Sequence, residues 1–338
     1  MRIMNEMKKT LLNTLKALLL PVIVYCVFLI ISFERFSNLN CIYTIFLQSI
    51  IPTITAYAVA FGYMCGIFDF TVGSRIIISG LFGGILSASF GLPGLIIGCL
   101  ATSLIISAIT GLINWVSQIP SLVLTMALTM IYEIVGKNIS GQFSFISIDY
   151  KYASLGASPY IVYVLIISML LFYFVFNYTK FSYHMRAVGS NEIVAKNAGI
   201  KTQLVKFLSF VIGSIFIAVS AILTISQSGS MGAQTGLGSA TLIFKPLMGI
   251  MIAMVLQPFC NMTLGILISQ LTLNTIFIGL IAAGLPDTFQ NVALGFFLLI
   301  VMIISNNLDR IRSLFARTRE SFSNTAKSTL LESQSKGE

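Results

Sequence analysis

Long apolar stretches alternate along this chain with short clusters of Gly, Pro, Asn and charged residues. Several stretches exceed about 18 residues, the length that carries an α-helix across a hydrocarbon core. Read for helical period and breakers, they predict ten spans, at 14–33, 43–66, 72–91, 93–115, 119–136, 159–177, 204–227, 240–257, 260–283 and 287–306. An even number leaves both ends on one side. The expected fold class is all-α, a polytopic helical bundle of about ten transmembrane helices with both termini cytoplasmic. It divides into an amino-terminal tail (1–13), a membrane domain (14–307) and a basic carboxy-terminal tail (308–338).

Composition agrees with the pattern. Hydrophobic residues make up 57% of the 338 and charged residues 9%, against roughly 25% charged in a soluble domain. The mean hydropathy is +0.94. The net charge of +9 is concentrated in three places: Arg2 to Lys16, Lys180 to Lys206, and the tail after Asn307. Positive residues mark cytoplasmic segments, and the ten-span count puts all three on one side. This placement argues for a lipid bilayer as the surroundings and against nucleic acid as a partner. The first apolar run, Ala17 to Phe33, is long for a signal peptide and has no small-residue cleavage site after it, so it reads as an uncleaved span.

The five cysteines are scattered, and the single histidine, His184, has no companions at ligand spacing, so no metal site is expected. No phosphate-binding Gly-rich loop with Lys and Ser/Thr occurs, nor any catalytic triad or carboxylate pair. The chain therefore does not read as an enzyme. Glycines and serines in Ser79–Gly91 and Gly98–Gly111 have the close spacing through which membrane helices pack.

Two polar segments interrupt the apolar pattern. The stretch 137–158 is the longest outer loop, large enough for a lid or docking surface. On the inner side, RAVGSNEIVAKNAGI (186–200) is charged and bounded by glycines. Ser190 or Asn191 can cap a helix there, Glu192 suits the positive end of its dipole, and Gly199 suits its exit. Glu192 and Lys196 are spaced to pair. A helix of about nine residues is unstable alone in water, so it must rest on another surface, either lipid headgroups or a partner protein. Ile193, Val194 and Ala198 supply its apolar contacts.

Charged and polar groups inside spans are functional suspects. Asp69 and Arg75 either pair with each other or with lipid headgroups, or belong to a non-helical break in which Asp69, Thr71 and Ser74 present polar groups near a pathway. Lys245 precedes Pro246 and either lines a cavity in a broken helix or snorkels to the interface. Glu133 lies toward the outer end of the fifth span, within reach of Lys137. Asn114, Thr125 and Gln227 join these as candidate handles for a hydroxylated solute, although interhelical hydrogen bonding is the usual role of such residues.

The inner segment resembles the cytoplasmic loop of ribose-type ABC transporter permeases. The family pattern is matched by Arg186, Gly189, Asn191, Glu192, Ala195, Gly199 and Ile200. GIFDFTVGS (66–74) is similar to the family's G-I-D-L-S-V-G-S segment, with Phe68 as an extra or shifted residue, and 226–242 resembles the stretch leading into the eighth span. Met251–Gly265 departs from the family in having few glycines. The resemblance implies a permease subunit of an ABC importer in the bacterial inner membrane, forming half of the path for a simple sugar or a related small polyhydroxylated solute. It implies a coupling helix made by Arg186, Gly189, Ser190, Asn191, Glu192, Ile193, Val194, Lys196 and Gly199. The implied partners are ABC ATPase subunits, an extracytoplasmic solute-binding protein and a second permease chain. ATP and Mg would be held by the ATPase subunits, with no cofactor on this chain. An ion-driven secondary transporter is the rival reading, for which Asp69 is nearly the only embedded carboxylate.

Overall fold

The computed structural model describes residues 2–117, 119–141 and 145–286, with a few positions as far as Ile303. The expected tenth span, 287–306, lies for most of its length outside the described residues, and the tail 308–338 lies there entirely. Among the described residues eight helices are long and apolar enough to cross a membrane.

Helix α1 (Arg2–Ile31) begins ahead of the first apolar run and leads through the short α2 (Phe33–Phe36) into α3 (Leu39–Met64). Helix α4 (Val72–Ser117) is two spans in one continuous stretch. They fold back on each other at Gly91, whose φ of 67° and ψ of −147° are closed to residues with a side chain. In the resulting hairpin Gly83 and Gly98 meet backbone to backbone, so the small-residue faces seen in the sequence do pack together. Helix α5 (Ser121–Ser140) lies along the outside of this hairpin. Counting α4 as two, the described residues cross nine times, at nearly the positions the apolar runs predict.

Helix α6 (Tyr160–Tyr178) returns to the inner side, where α7 (Lys180–Ser190) and α8 (Glu192–Asn197) form the polar connection. Helix α9 (Thr202–Ser228) then runs through the centre against α3 and α4. Helices α10 (Thr241–Leu256) and α11 (Met262–Ala282) pair with each other and close the bundle on α3. The core lies between α3, α6 and α9. There Tyr57 stacks on Phe172 at 4.4 Å between ring centroids, and Phe61, Phe176 and Phe216 complete the aromatic cluster. The exposed side chains of α4, α5 and α6 within the membrane are almost all apolar, as lipid requires.

On the outer side the long loop forms β1 (Phe145–Ser147) and a 3-10 segment, Tyr150–Gly156. Strand β1 pairs antiparallel with β2 (Ser230–Gly232), aligning Ile146 with Met231. This two-stranded ribbon joins the loop after α5 to the loop after α9. The second loop does not stay at the surface. Met231 packs on Gly80 of α4, while Ser239 packs on Gly73, two turns lower, so the chain descends about 10 Å into the bundle. Helix α10 starts from that depth. Its 16 residues span about 24 Å, short of the roughly 30 Å hydrocarbon layer.

Candidate functional site

The inner connection is where the sequence is most unlike its surroundings, and the structure resolves its open alternatives. Asn191, rather than Ser190, caps α8: its Oδ1 accepts from the backbone N–H of Ile193 and of Val194, both at 3.1 Å. Ser190 instead ends α7, its hydroxyl donating to the Ala187 carbonyl at 3.0 Å. Gly199 leaves α8 with a φ of 83°. Glu192 pairs not with Lys196 but with Lys206, on the first turns of α9, at 2.7 Å. Sequence spacing favours the intrahelical partner, but the sharp Gly199 turn brings α9 alongside. Lys206, fourteen residues away, had no local signal to mark it.

Only Ala195 of α8 is buried. Ile193 and Val194 are 73% and 61% exposed. Two β-branched apolar side chains therefore stand clear of the bundle on a helix tied down at both ends. Arg186 and Gly189 hold that helix in place rather than extend its face. Arg186 donates to the Phe176 carbonyl at 2.9 Å and lies over the Phe176 ring at 4.8 Å, clamping α7 to the end of α6. A Cβ on Gly189 would lie 1.8 Å from the Met64 carbonyl oxygen, so α7 meets the end of α3 with no space for a side chain.

Beside α8 a cavity of about 680 Å³ opens toward the inner side. Gly66, Asn114, Ser121, Glu192, Lys196 and Lys206 are among its lining residues. It joins the polar connection to the non-helical break between α3 and α4.

That break is built from side-chain bonds. Asp69 Oδ1 accepts from the Thr71 N–H and from the Thr71 hydroxyl, at 2.9 and 2.6 Å, and Oδ2 pairs with Arg75. Arg75 also donates to Ser107 Oγ at 2.8 Å, bridging the two arms of the α4 hairpin. Its guanidinium lies 5.6 Å from the centroid of the Phe210 ring on α9. The Ser74 hydroxyl donates to the Thr71 carbonyl at 2.9 Å. The Thr125 hydroxyl donates to the carbonyls of Ser121 and Phe68 and accepts from the Phe70 N–H at 3.2 Å. These residues are buried and bonded to one another. Asp69 and Arg75 pair with each other, and the non-helical break of the other reading is present as well.

The remaining pathway candidates stand apart. Gln227 is exposed at the outer end of α9, against the backbone of Gly156. Lys245 lies on α10 with Nζ 4.3 Å from the centroid of the Phe277 ring, turned toward α11. Beside Pro246, Gln270 of α11 donates from Nε2 to the Lys245 carbonyl at 3.0 Å, tying α11 to α10.

Glu133 has a different partner from the one expected. It is 4% exposed and reaches not Lys137 but the descending loop before α10. Its carboxylate accepts from the Leu237 N–H at 2.8 Å, the Ser239 N–H at 2.9 Å and the Ser239 hydroxyl at 2.6 Å. The apolar pattern places the span boundaries but carries no sign that the outer loop turns inward, so this contact was not legible.

A family model described as "Branched-chain amino acid transport system / permease component" matches residues 41–306. The chain is 23% identical over 246 residues to the galactofuranose transporter permease of Escherichia coli (strain K12), covering 70% of this chain and 71% of that protein. It is 29% identical over 181 residues to an autoinducer 2 import system permease of Salmonella paratyphi B, covering 50% and 51%. It is 26% identical over 307 residues to the corresponding permease of Photorhabdus luminescens, covering 84% and 88%. No solved structure matches.

Proposed function

The chain belongs to the family of permease components of branched-chain amino acid transport systems, and from that premise we propose how its inner face couples to a motor. It is a multi-pass inner-membrane permease subunit of an ABC importer. Two such chains, identical or different, form the path. ATPase subunits bind inside and a solute-binding protein docks outside. The solute is a simple sugar or a similar small polyhydroxylated molecule, in keeping with the galactofuranose and autoinducer 2 relatives rather than with the family's amino-acid title.

The observation that carries this reading is α8. A six-residue helix has no stability of its own, yet this one is capped, bonded to α9 and joined through α7 to the ends of α3 and α6, with its apolar residues outward. Lipid is not the best fit, because Glu192, Lys196 and the adjacent polar cavity share the surface. A groove on another protein is. Closure of the ATPase pair would then push α8 as a rigid handle and move α9, to which Lys206 ties it. The buried contacts of Asp69 leave it poorly suited to carry ions, which weighs against ion-driven transport.

The test replaces Ile193 with Ala and Glu192 with Lys together, in chains assembled with their ATPase subunits in proteoliposomes. Expected is normal membrane insertion with loss of solute-stimulated ATP hydrolysis and of uptake. Wild-type stimulation in the double variant would reject the reading.

A further inference from the structure

The descending loop between β2 and α10 presents a physical difficulty whose resolution assigns it a role. Irregular backbone does not face lipid within the hydrocarbon layer; it is found there only when buried in protein or lining water. Ser239 and Ala240 are buried, but Gln234, Thr235, Gly236 and Thr241 are exposed. The turn they form is at membrane depth. Its Leu237 and Ser239 are bonded to Glu133, in the middle stretch of α5. The Gly238 N–H donates to the Thr235 carbonyl at 3.3 Å within the same turn. Lipid cannot satisfy this surface, and the uncharged polar groups it leaves open suit a water-filled space between the two permease chains.

We propose that the turn Gln234–Gly238, together with Thr241, is a solute-contacting subsite of the transport path, selective for an uncharged polyhydroxylated molecule. This rests on the permease reading above and adds to it the residues that meet the solute.

The turn is held as a binding element would be. Glu133 satisfies three of its donors from one side. On the other side a Cβ at Gly73 would lie 1.9 Å from the Ser239 carbonyl oxygen, so no space remains for the turn to settle deeper. Two consecutive left-handed residues, Gly236 at φ 70° and Leu237 at φ 64°, reverse the chain. The second is unfavourable for leucine, whose side chain crowds the backbone there, and the carboxylate bonds offset it. The Thr235 hydroxyl and the Gln234 amide, whose Oε1 packs on Gly238, are exposed there, and the Thr241 hydroxyl, which donates to the Gly238 carbonyl at 2.8 Å, keeps its lone pairs for accepting.

Charge decides the solute class. The Glu133 oxygens are already bonded, and Lys245 is turned onto Phe277. The exposed polar side chains of the turn carry no charge. A zwitterionic amino acid would leave its ammonium and carboxylate without charged partners there, whereas sugar hydroxyls match the amide and hydroxyls.

The experiment uses the full chain assembled with its ATPase and binding-protein partners in nanodiscs and proteoliposomes, with Cys26 and Cys41 replaced by Ser. Thr235→Cys and Gln234→Cys are challenged with a charged methanethiosulfonate, with Leu170→Cys on the lipid face of α6 as control. Expected is rapid modification of the turn cysteines in the nucleotide-free or the ATP-loaded state, slowed by saturating galactofuranose or ribose but not by leucine, with Leu170→Cys inert. In the uptake arm, Gln234→Leu and Thr235→Val lower sugar transport about tenfold at equal membrane expression. Turn cysteines that stay inert in both states, or leucine protecting in place of sugars, overturn the inference while ATP-driven uptake by the parent chain still supports the permease reading. Absence of ATP-driven uptake of any solute by the parent chain overturns that reading instead.

Discussion

Glu133 illustrates how one side chain can set the course of a loop. A carboxylate within a span is costly unless its bonds are satisfied, and here every bond goes to a segment arriving from the other end of the sequence. Glu133→Gln presents an amide N–H₂ where donors already point, and orphaning such donors costs about 1–3 kcal/mol each. The expected outcome is a lower melting midpoint for the detergent-solubilised protein, while Ile134→Ala, on the exposed side of the same helix, leaves it nearly unchanged. Gly73 is the complementary constraint. Gly73→Ala forces the Ser239 carbonyl to shift, and sugar uptake should fall at least several-fold with the protein still reaching the membrane, measured by transport normalised to surface expression. Neither residue's partner was readable. A glutamate near a lysine reads as a surface pair, and a glycine in a Gly-rich span reads as packing.

At the scale of elements, α8 depends on its attachments. Asn191→Ala removes a cap worth about 1 kcal/mol, which for so short a helix decides whether it is formed. Solute-stimulated ATP hydrolysis should drop while basal hydrolysis persists, and Asn191→Asp should restore it. The Glu192–Lys206 pair is partly exposed and contributes little stability by itself, so its value is directional. Glu192→Lys and Lys206→Glu should each impair uptake, and the two together should recover much of it; a double variant as poor as the singles would contradict the strut. The helix itself was visible in the sequence, because its cap, acidic first turn and terminal glycine are local. Its actual salt-bridge partner was not, because that depends on the angle at which the chain leaves Gly199. Nor was α7, whose polar composition reads as linker until Arg186 and Gly189 are seen anchoring it to α6 and α3.

For the whole molecule, the alternation of apolar runs and breakers placed the crossings seen among the described residues. Even the Gly91 fold within α4 falls at the gap expected between two spans. The pattern records which side chains avoid water, and that is a property of each residue with its immediate neighbours. It does not record which loop returns into the bundle or which face meets another subunit, since those follow from contacts between distant segments. The Asp69–Arg75 cluster lies between these limits: its charges were recognisable as unusual, and their pairing was one of the readings the sequence left open. The polar candidates Asn114 and Lys196 come together at the inner cavity, whereas Gln227 and Lys245 do not.

The ribbon formed by β1 and β2 also bears on how such permeases can diversify. Two stretches of chain some eighty positions apart are zipped residue to residue, so neither can lengthen or drift independently without breaking register with its mate. Chimeras that graft one outer segment from the galactofuranose relative should misassemble, whereas grafting both at once should yield a protein that matures normally, as judged by resistance to added protease in intact cells. Inheritance, on this view, acts on the two segments as a single heritable module.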